Sequence, residues 1–73
     1  MNIDWSITYG DMKDVYIGKI DGFKKFEIHR FKNKLSCFLL FEGSIIARDP
    51  TIEDAMRKAS KLWEVANTIN LNT

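Results

Sequence analysis

His29 and Glu27 stand two residues apart, the spacing in this sequence closest to a proton-transfer pair, because residues i and i+2 of a strand share a face. Acid–base work also needs a nucleophile or a second carboxylate in defined geometry. No serine, cysteine or further acid falls beside this pair at a spacing that a strand would bring together, so His29 reads as a surface histidine. Cys37, the single cysteine, would need a neighbouring cation to lower its pKa before it could attack a substrate. It lies mid-run between Leu35 and Leu39, where a cysteine behaves as a small hydrophobe. Asp4, Asp11, Asp14, Asp21 and Asp49 are scattered over turns and strand ends, without the loop spacing or closing glutamate of a calcium site. Gly18, Gly22 and Gly43 are isolated and cradle no phosphate; they read as turn or bulge residues. The expectation is a non-enzymatic chain with no catalytic residue, no cofactor and no metal.

A different chemistry is suggested by Tyr16, Phe23, Lys24, Lys25, His29, Arg30, Phe31, Lys32 and Lys34, in which aromatic and basic residues interleave. Sheets that bind nucleic acid stack bases on aromatic faces and hold phosphates with flanking cations. Residues 13–34 carry seven Lys/Arg against three acids while the remainder carries four against seven, so a formal net charge of +1 conceals a basic hairpin. The glycine–aromatic pattern of RNA-recognition sheets is missing, and the whole-chain bias is small. Nucleic-acid binding through Lys24, Lys25, Arg30, Lys32 and Lys34 is therefore the alternative reading, beside one in which these cations form a solvated edge that discourages strand pairing.

The elements that must position these residues follow from hydrophobic period. Ile3, Trp5, Ile7 and Tyr9 alternate with polar residues as in a half-buried strand, which Gly10-Asp11 ends. Val15 to Ile20 and Phe23 to Phe31 flank Asp21-Gly22, a pair suited to a two-residue type I′ hairpin that sets Ile20 opposite Phe23. Counting outward places Val15 and Ile17 with Phe26 and Ile28 on the core face, and Tyr16, Gly18 and Ile20 with Phe23, Lys25, Glu27 and His29 on the other. With Asn33-Lys34 as the next loop, Ile28 faces Leu39 and Phe26 faces Phe41, so Cys37, Leu39 and Phe41 join the core. Phe38 and Leu40 then turn to the opposite face, with Phe31 nearby. Glu42-Gly43-Ser44 makes a further turn before a short strand, Ile45 to Arg48.

Asp49-Pro50-Thr51 punctuates the chain, with Thr51 as an N-cap accepting the N–H of Asp54. Ile52, Ala55, Met56, Ala59, Leu62, Trp63, Ala66 and Ile69 recur at the spacing of one helical face. On the other face Glu53–Arg57 and Asp54–Lys58 are acid-before-base pairs, and residues 70–73 should fray. The expected fold is α+β: a three- to five-stranded antiparallel sheet covered on one face by a single C-terminal amphipathic helix, residues 1–73 forming one domain. A chain of 73 residues has room for one core only. The lone cysteine excludes an internal disulfide, and neither a signal segment nor a membrane-spanning run is visible, which predicts a cytoplasmic protein.

One strand carries more apolar surface than this architecture needs. Leu35 to Phe41 is apolar on both sides, whereas a solvated outer face should be polar. Phe38 and Leu40 need a cover, supplied by a partner protein, a second copy or the N-terminal strand. The first two options make Tyr16, Phe31, Phe38 and Leu40 the candidate protein interface.

At Thr51-Ile52-Glu53-Asp54-Ala55 and the strand before it, the chain resembles the strand-to-helix segment of small HicB-type antitoxin domains. It is similar also to short phage and bacterial proteins of the order strand-strand-strand-helix, over roughly residues 15–66. HicB-like proteins usually carry a glycine just before this motif, where Asp49-Pro50 stands here. The resemblance implies a small regulator or inhibitor that neutralises a toxin, and it transfers no functional residue.

Overall fold

The computed structural model describes residues 3–71, with side chains through position 67. Five strands, β1 (Asp4–Thr8), β2 (Lys13–Ile20), β3 (Phe23–Phe31), β4 (Cys37–Phe41) and β5 (Ser44–Asp49), precede one helix, α1 (Ile52–Leu71). The strands form an antiparallel meander in chain order, and α1 packs on β3, β4 and β5, which is the α+β architecture expected from the sequence.

The turns explain the meander. Asp21 and Gly22 hold φ of 53° and 84°, the left-handed pair that a type I′ hairpin demands, and Glu42 and Gly43 repeat it at 48° and 87°. The β3–β4 connection is longer than a two-residue loop: it spans residues 32–36, opened by a turn in which Lys34 N–H donates to the Phe31 carbonyl. The register nevertheless pairs Ile28 with Leu39 and Phe26 with Phe41 as counted.

The count through β2 fails at one place. A bulge at Gly18/Lys19 shifts the ladder, so that Gly18, and not Ile17, lies opposite Phe26. A one-residue slip inverts every side chain beyond it. Val15 and Ile17 therefore face away from the helix, while Tyr16 and Ile20 join the helix side, Ile20 as a buried core residue. The extra residue is Lys25 of β3, left unpaired between Lys24 and Phe26; on the helix side of β2 a Cβ at Gly18 would stand 2.9 Å from Trp5 Cη2 and Cζ3 and 2.8 Å from Ile3 Cγ2. The indole thus sits on bare backbone and fills the part of the sheet that α1 does not reach.

The core is one cluster of Ile20, Phe26, Ile28, Cys37 and Leu39 beneath Ile52, Ala55 and Ala59. Small residues on α1 allow close approach, and Trp63 fills the widening gap with its ring edge-on to Phe26, centroids 6.5 Å apart. Thr51 caps the helix through Oγ1, which accepts the Asp54 N–H at 3.1 Å. The expected i,i+4 pairs are replaced: Arg57 donates to Asp54 at 2.9 Å, and Lys58 reaches across to Asp49 Oδ1 at 2.7 Å. Asp49 is only 6% exposed, and its Oδ2 has no hydrogen-bond partner among the described residues, so a buried carboxylate draws Lys58 away from its own helix. The helix spans Ile52–Leu71, and of the tail expected to fray, residues 72–73 lie outside those described.

Candidate interaction surface

The reverse face of the sheet is built from two cross-strand rows. One reads Thr8, Val15, His29, Phe38, Arg48 from β1 to β5, and the next reads Ser6, Ile17, Glu27, Leu40, Ile45. Lys13 and Phe31 pair at one end, Lys19 and Lys24 at the other. No secondary-structure element among the described residues packs on this face. The N-terminal strand, one of the three covers considered for Phe38 and Leu40, is instead the edge of the sheet beside β2.

Within the rows a polar seam runs along β3 between two apolar groups. Lys24 Nζ lies 3.6 Å from Glu27, Glu27 Oε1 lies 3.1 Å from His29 Nε2, and His29 Nδ1 lies 3.2 Å from Lys13 Nζ. An ammonium can only donate, so His29 Nδ1 is the acceptor and the ring proton sits on Nε2, directed at Glu27. The His29 hydrogen bond is the main cause that holds the Glu27 carboxyl below its ordinary range; burial opposes it and the Lys24 charge adds to it. Lys13 also stands over the Phe31 ring, 5.4 Å from its centroid, and Phe31 meets Phe38 edge-to-face at 6.2 Å. Val15 and Ile17 of β2 thus flank the seam on one side, Phe38, Leu40 and Ile45 of β4 and β5 flank it on the other, and Phe31 closes its end.

Three of the four residues named as an interface, Phe31, Phe38 and Leu40, share this face and are half-buried. Tyr16 does not belong with them. The bulge puts it on the helix side, opposite Ile28 and packed against the core. Lys13, Val15, Ile17 and Ile45 take its place; the shift comes from Lys25, unpaired in the β2–β3 ladder, which no pattern in the sequence marks.

The basic set is dispersed. Lys24 stands on the reverse face paired with Glu27, Lys25 bonds Glu42 at 3.2 Å, and Lys32 lies 3.9 Å from Asp14. Arg30 pairs with Cys37 across the ladder and borders a cleft of about 330 Å³ with Tyr16, Ser36 and the start of α1, while Lys34 occupies the β3–β4 loop. The unpaired Lys25 inverts the face of Lys24 relative to Phe26 and Ile28, so Lys24 and Arg30 lie on opposite sides of the sheet and the five do not form one patch.

Cys37 is buried at the floor of that cleft. Its Sγ–H faces the carbonyls of Asp49 and Thr51, each 3.4 Å away, and burial, reinforced by the Asp49 charge, pushes its thiol pKa up. This is the opposite of what a nucleophile requires. Among the described residues no group of three His, Cys, Asp or Glu is placed to hold a metal ion, and no helix is long and apolar enough to cross a membrane. Compared with known proteins, the chain matches no family model, no curated sequence and no solved structure.

Proposed function

We propose that this domain is a non-enzymatic interaction module that receives a partner protein on the reverse face of its sheet, around Phe31, Phe38 and Leu40. The observation that carries the reading is β4 itself. Leu39 is 0% exposed beneath the helix, while its neighbours Phe38 and Leu40 present a second apolar surface on the side that no element among the described residues covers. Burying such surface is worth roughly 25 cal/mol per Å², and the seam of Lys13, His29, Glu27 and Lys24 supplies fixed donors and acceptors through the middle of it. In the cell this describes a small bacterial or phage regulator or inhibitor, of which HicB-like toxin neutralisation is one form. A cytoplasmic setting suits its unbridged, buried thiol.

The test is Phe38→Asp. A partner recovered with the wild-type protein is lost with the variant, while the helical circular-dichroism signal is kept. Retained binding would refute the reading, and loss of folding would reassign Phe38 to the core. Nucleic-acid binding is supported by a narrower observation, that Lys13, Lys24 and Arg48 share the face of Phe31 and Phe38. Titration with labelled single- and double-stranded oligonucleotides at low salt decides it: no binding at about tens of micromolar protein removes it.

A further inference from the structure

The ladder sets four cations on the reverse face, Lys13, Lys19, Lys24 and Arg48, against two acids, Asp4 and Glu27. Glu27 is already answered, by Lys24 at 3.6 Å and by His29 at 3.1 Å. Among the described residues Lys13, Lys19 and Arg48 form no ion pair, whereas Lys25, Lys32, Arg57 and Lys58 each hold a carboxylate. The contacts of Lys13 are with uncharged groups, the His29 ring nitrogen and the Phe31 ring. Lys19 stands directly opposite Lys24, an apposition of like charges that costs stability. The three unpaired cations frame the apolar surface. Lys13 and Lys19 mark the two ends of β2, about 20 Å apart, and Arg48 lies on β5, about 14 Å across the sheet from β2. Between them lie Val15 with Ile17 on one side of the seam and Phe38 with Leu40 on the other, and Ile45 beyond is 66% exposed.

We infer that the partner of this face is an acidic amphipathic helix lying along β3, its apolar side chains on the two pads and its carboxylates at Lys13, Lys19 and Arg48. The inference rests on the function proposed above and names the chemistry of the partner. Charge selects it: a neutral or basic partner that covered the pads would desolvate these cations without compensation, whereas carboxylates pair with them. A carboxylate is also a stronger acceptor for Lys13 than the neutral imidazole it now holds. The dimensions agree. The pads on β2 and β4 are two strand spacings apart, about 10 Å, which is the width of a helix, and the length of β2 between its end lysines equals about 13 helical residues. Such a helix completes a three-layer arrangement with α1 on the opposite side of the sheet. A nucleic-acid strand fits less well, because it needs a continuous cationic track and open aromatic faces. Here the cations stand at separate corners with Glu27 between them, Val15, Ile17, Leu40 and Ile45 are aliphatic, and Lys13 sits over the ring of Phe31.

The probe is a labelled helical peptide of about 16 residues built from leucine and glutamate, titrated by fluorescence anisotropy beside its leucine–lysine counterpart. The acidic peptide binds at least about tenfold more tightly than the basic one, and its affinity falls at least about threefold between about 50 and about 300 mM salt. Lys19→Glu/Arg48→Glu weakens it at least about tenfold, while Arg30→Glu/Lys61→Glu, the same change in net charge on the helix side, leaves it within about twofold. Phe38→Asp abolishes binding, and Ile45→Asp, at an exposed position, weakens it even if Phe38→Asp fails to fold. Equal binding of both peptides, lost in Phe38→Asp and Ile45→Asp, overturns this inference and leaves the function proposed above standing. Binding of the acidic peptide that ignores both of those substitutions overturns the two together. No binding of the acidic peptide up to about 1 mM protein overturns the inference. A single-stranded oligonucleotide that binds more tightly than the acidic peptide and is lost in Lys19→Glu/Arg48→Glu also overturns it, in favour of nucleic acid.

Discussion

Gly18→Ala tests the packing that organises the first half of the sheet, because two effects of opposite sign meet at that position. Replacing a glycine with ordinary φ by alanine stabilises a protein by about 0.4–1 kcal/mol through loss of freedom in the unfolded chain. Gly18 is not among the positive-φ positions, so that gain applies. Against it stands a Cβ only 2.9 Å from two atoms of the Trp5 ring and 2.8 Å from Ile3 Cγ2, closer than carbon atoms can sit. The indole is stiff and must lift as a unit, and overpacking of this kind costs about 1–3 kcal/mol. The clash wins, and the expected net loss is about 1–2 kcal/mol out of the roughly 4–11 kcal/mol available to a domain of this size. Urea unfolding followed by circular dichroism measures it, with a Tm decrease of about 4–8 °C per kcal/mol. In a Trp5→Leu background the two ring atoms are gone and the penalty shrinks, giving a coupling of about 0.5–2 kcal/mol between the sites. If Gly18→Ala stabilises the otherwise wild-type protein, the indole does not rest on that backbone and the account of this packing is wrong.

Adjacent residues of β4 should answer differently to truncation. Leu39→Ala costs about 2–5 kcal/mol and brings the domain close to unfolding, while Leu40→Thr on the reverse face costs under about 1.5 kcal/mol by the same denaturation assay. Lys58→Met should destabilise by about 1–3 kcal/mol because it strands a buried carboxylate, and adding Asp49→Asn should recover most of that loss in a double-mutant cycle. Glu27 has a carboxyl pKa lowered on folding from an ordinary 4.5, so the stability it contributes is complete above that value and is lost as pH falls through the lower, folded one. Glu27→Gln should accordingly flatten the acid limb of a stability–pH profile and leave the alkaline limb alone.

How much of this could be read from the residues depends on how local the deciding interaction is. The Asp21-Gly22 turn, the Thr51 cap and the apolar face of α1 are set by neighbours within a few positions, and each is visible as a short pattern. The pairing of β3 with β4 was also recoverable, since its alternation is strong enough to survive a loop of unexpected length. The direction of Val15, Tyr16 and Ile17 was not. It depends on Lys25 of β3 dropping out of the ladder with β2, an irregularity that nothing in the alternation of either strand announces. The Lys58 contact likewise depends on burial of Asp49, which the helix pattern cannot express. For the surface, Phe31, Phe38 and Leu40 were legible because their strands are regular, and Tyr16 was misplaced for the same reason that Val15 and Ile17 were.

The meander order of the strands has a consequence for synthesis on the ribosome. Each new strand finds its neighbour already made, so hairpins can zip up sequentially with little loop-closure entropy and a low contact order. The cover, however, follows all five strands in the chain. Until residues 52–63 emerge, the nascent sheet shows water the side bearing Phe26, Ile28 and Leu39, a sticky intermediate of the sort that holdase chaperones capture.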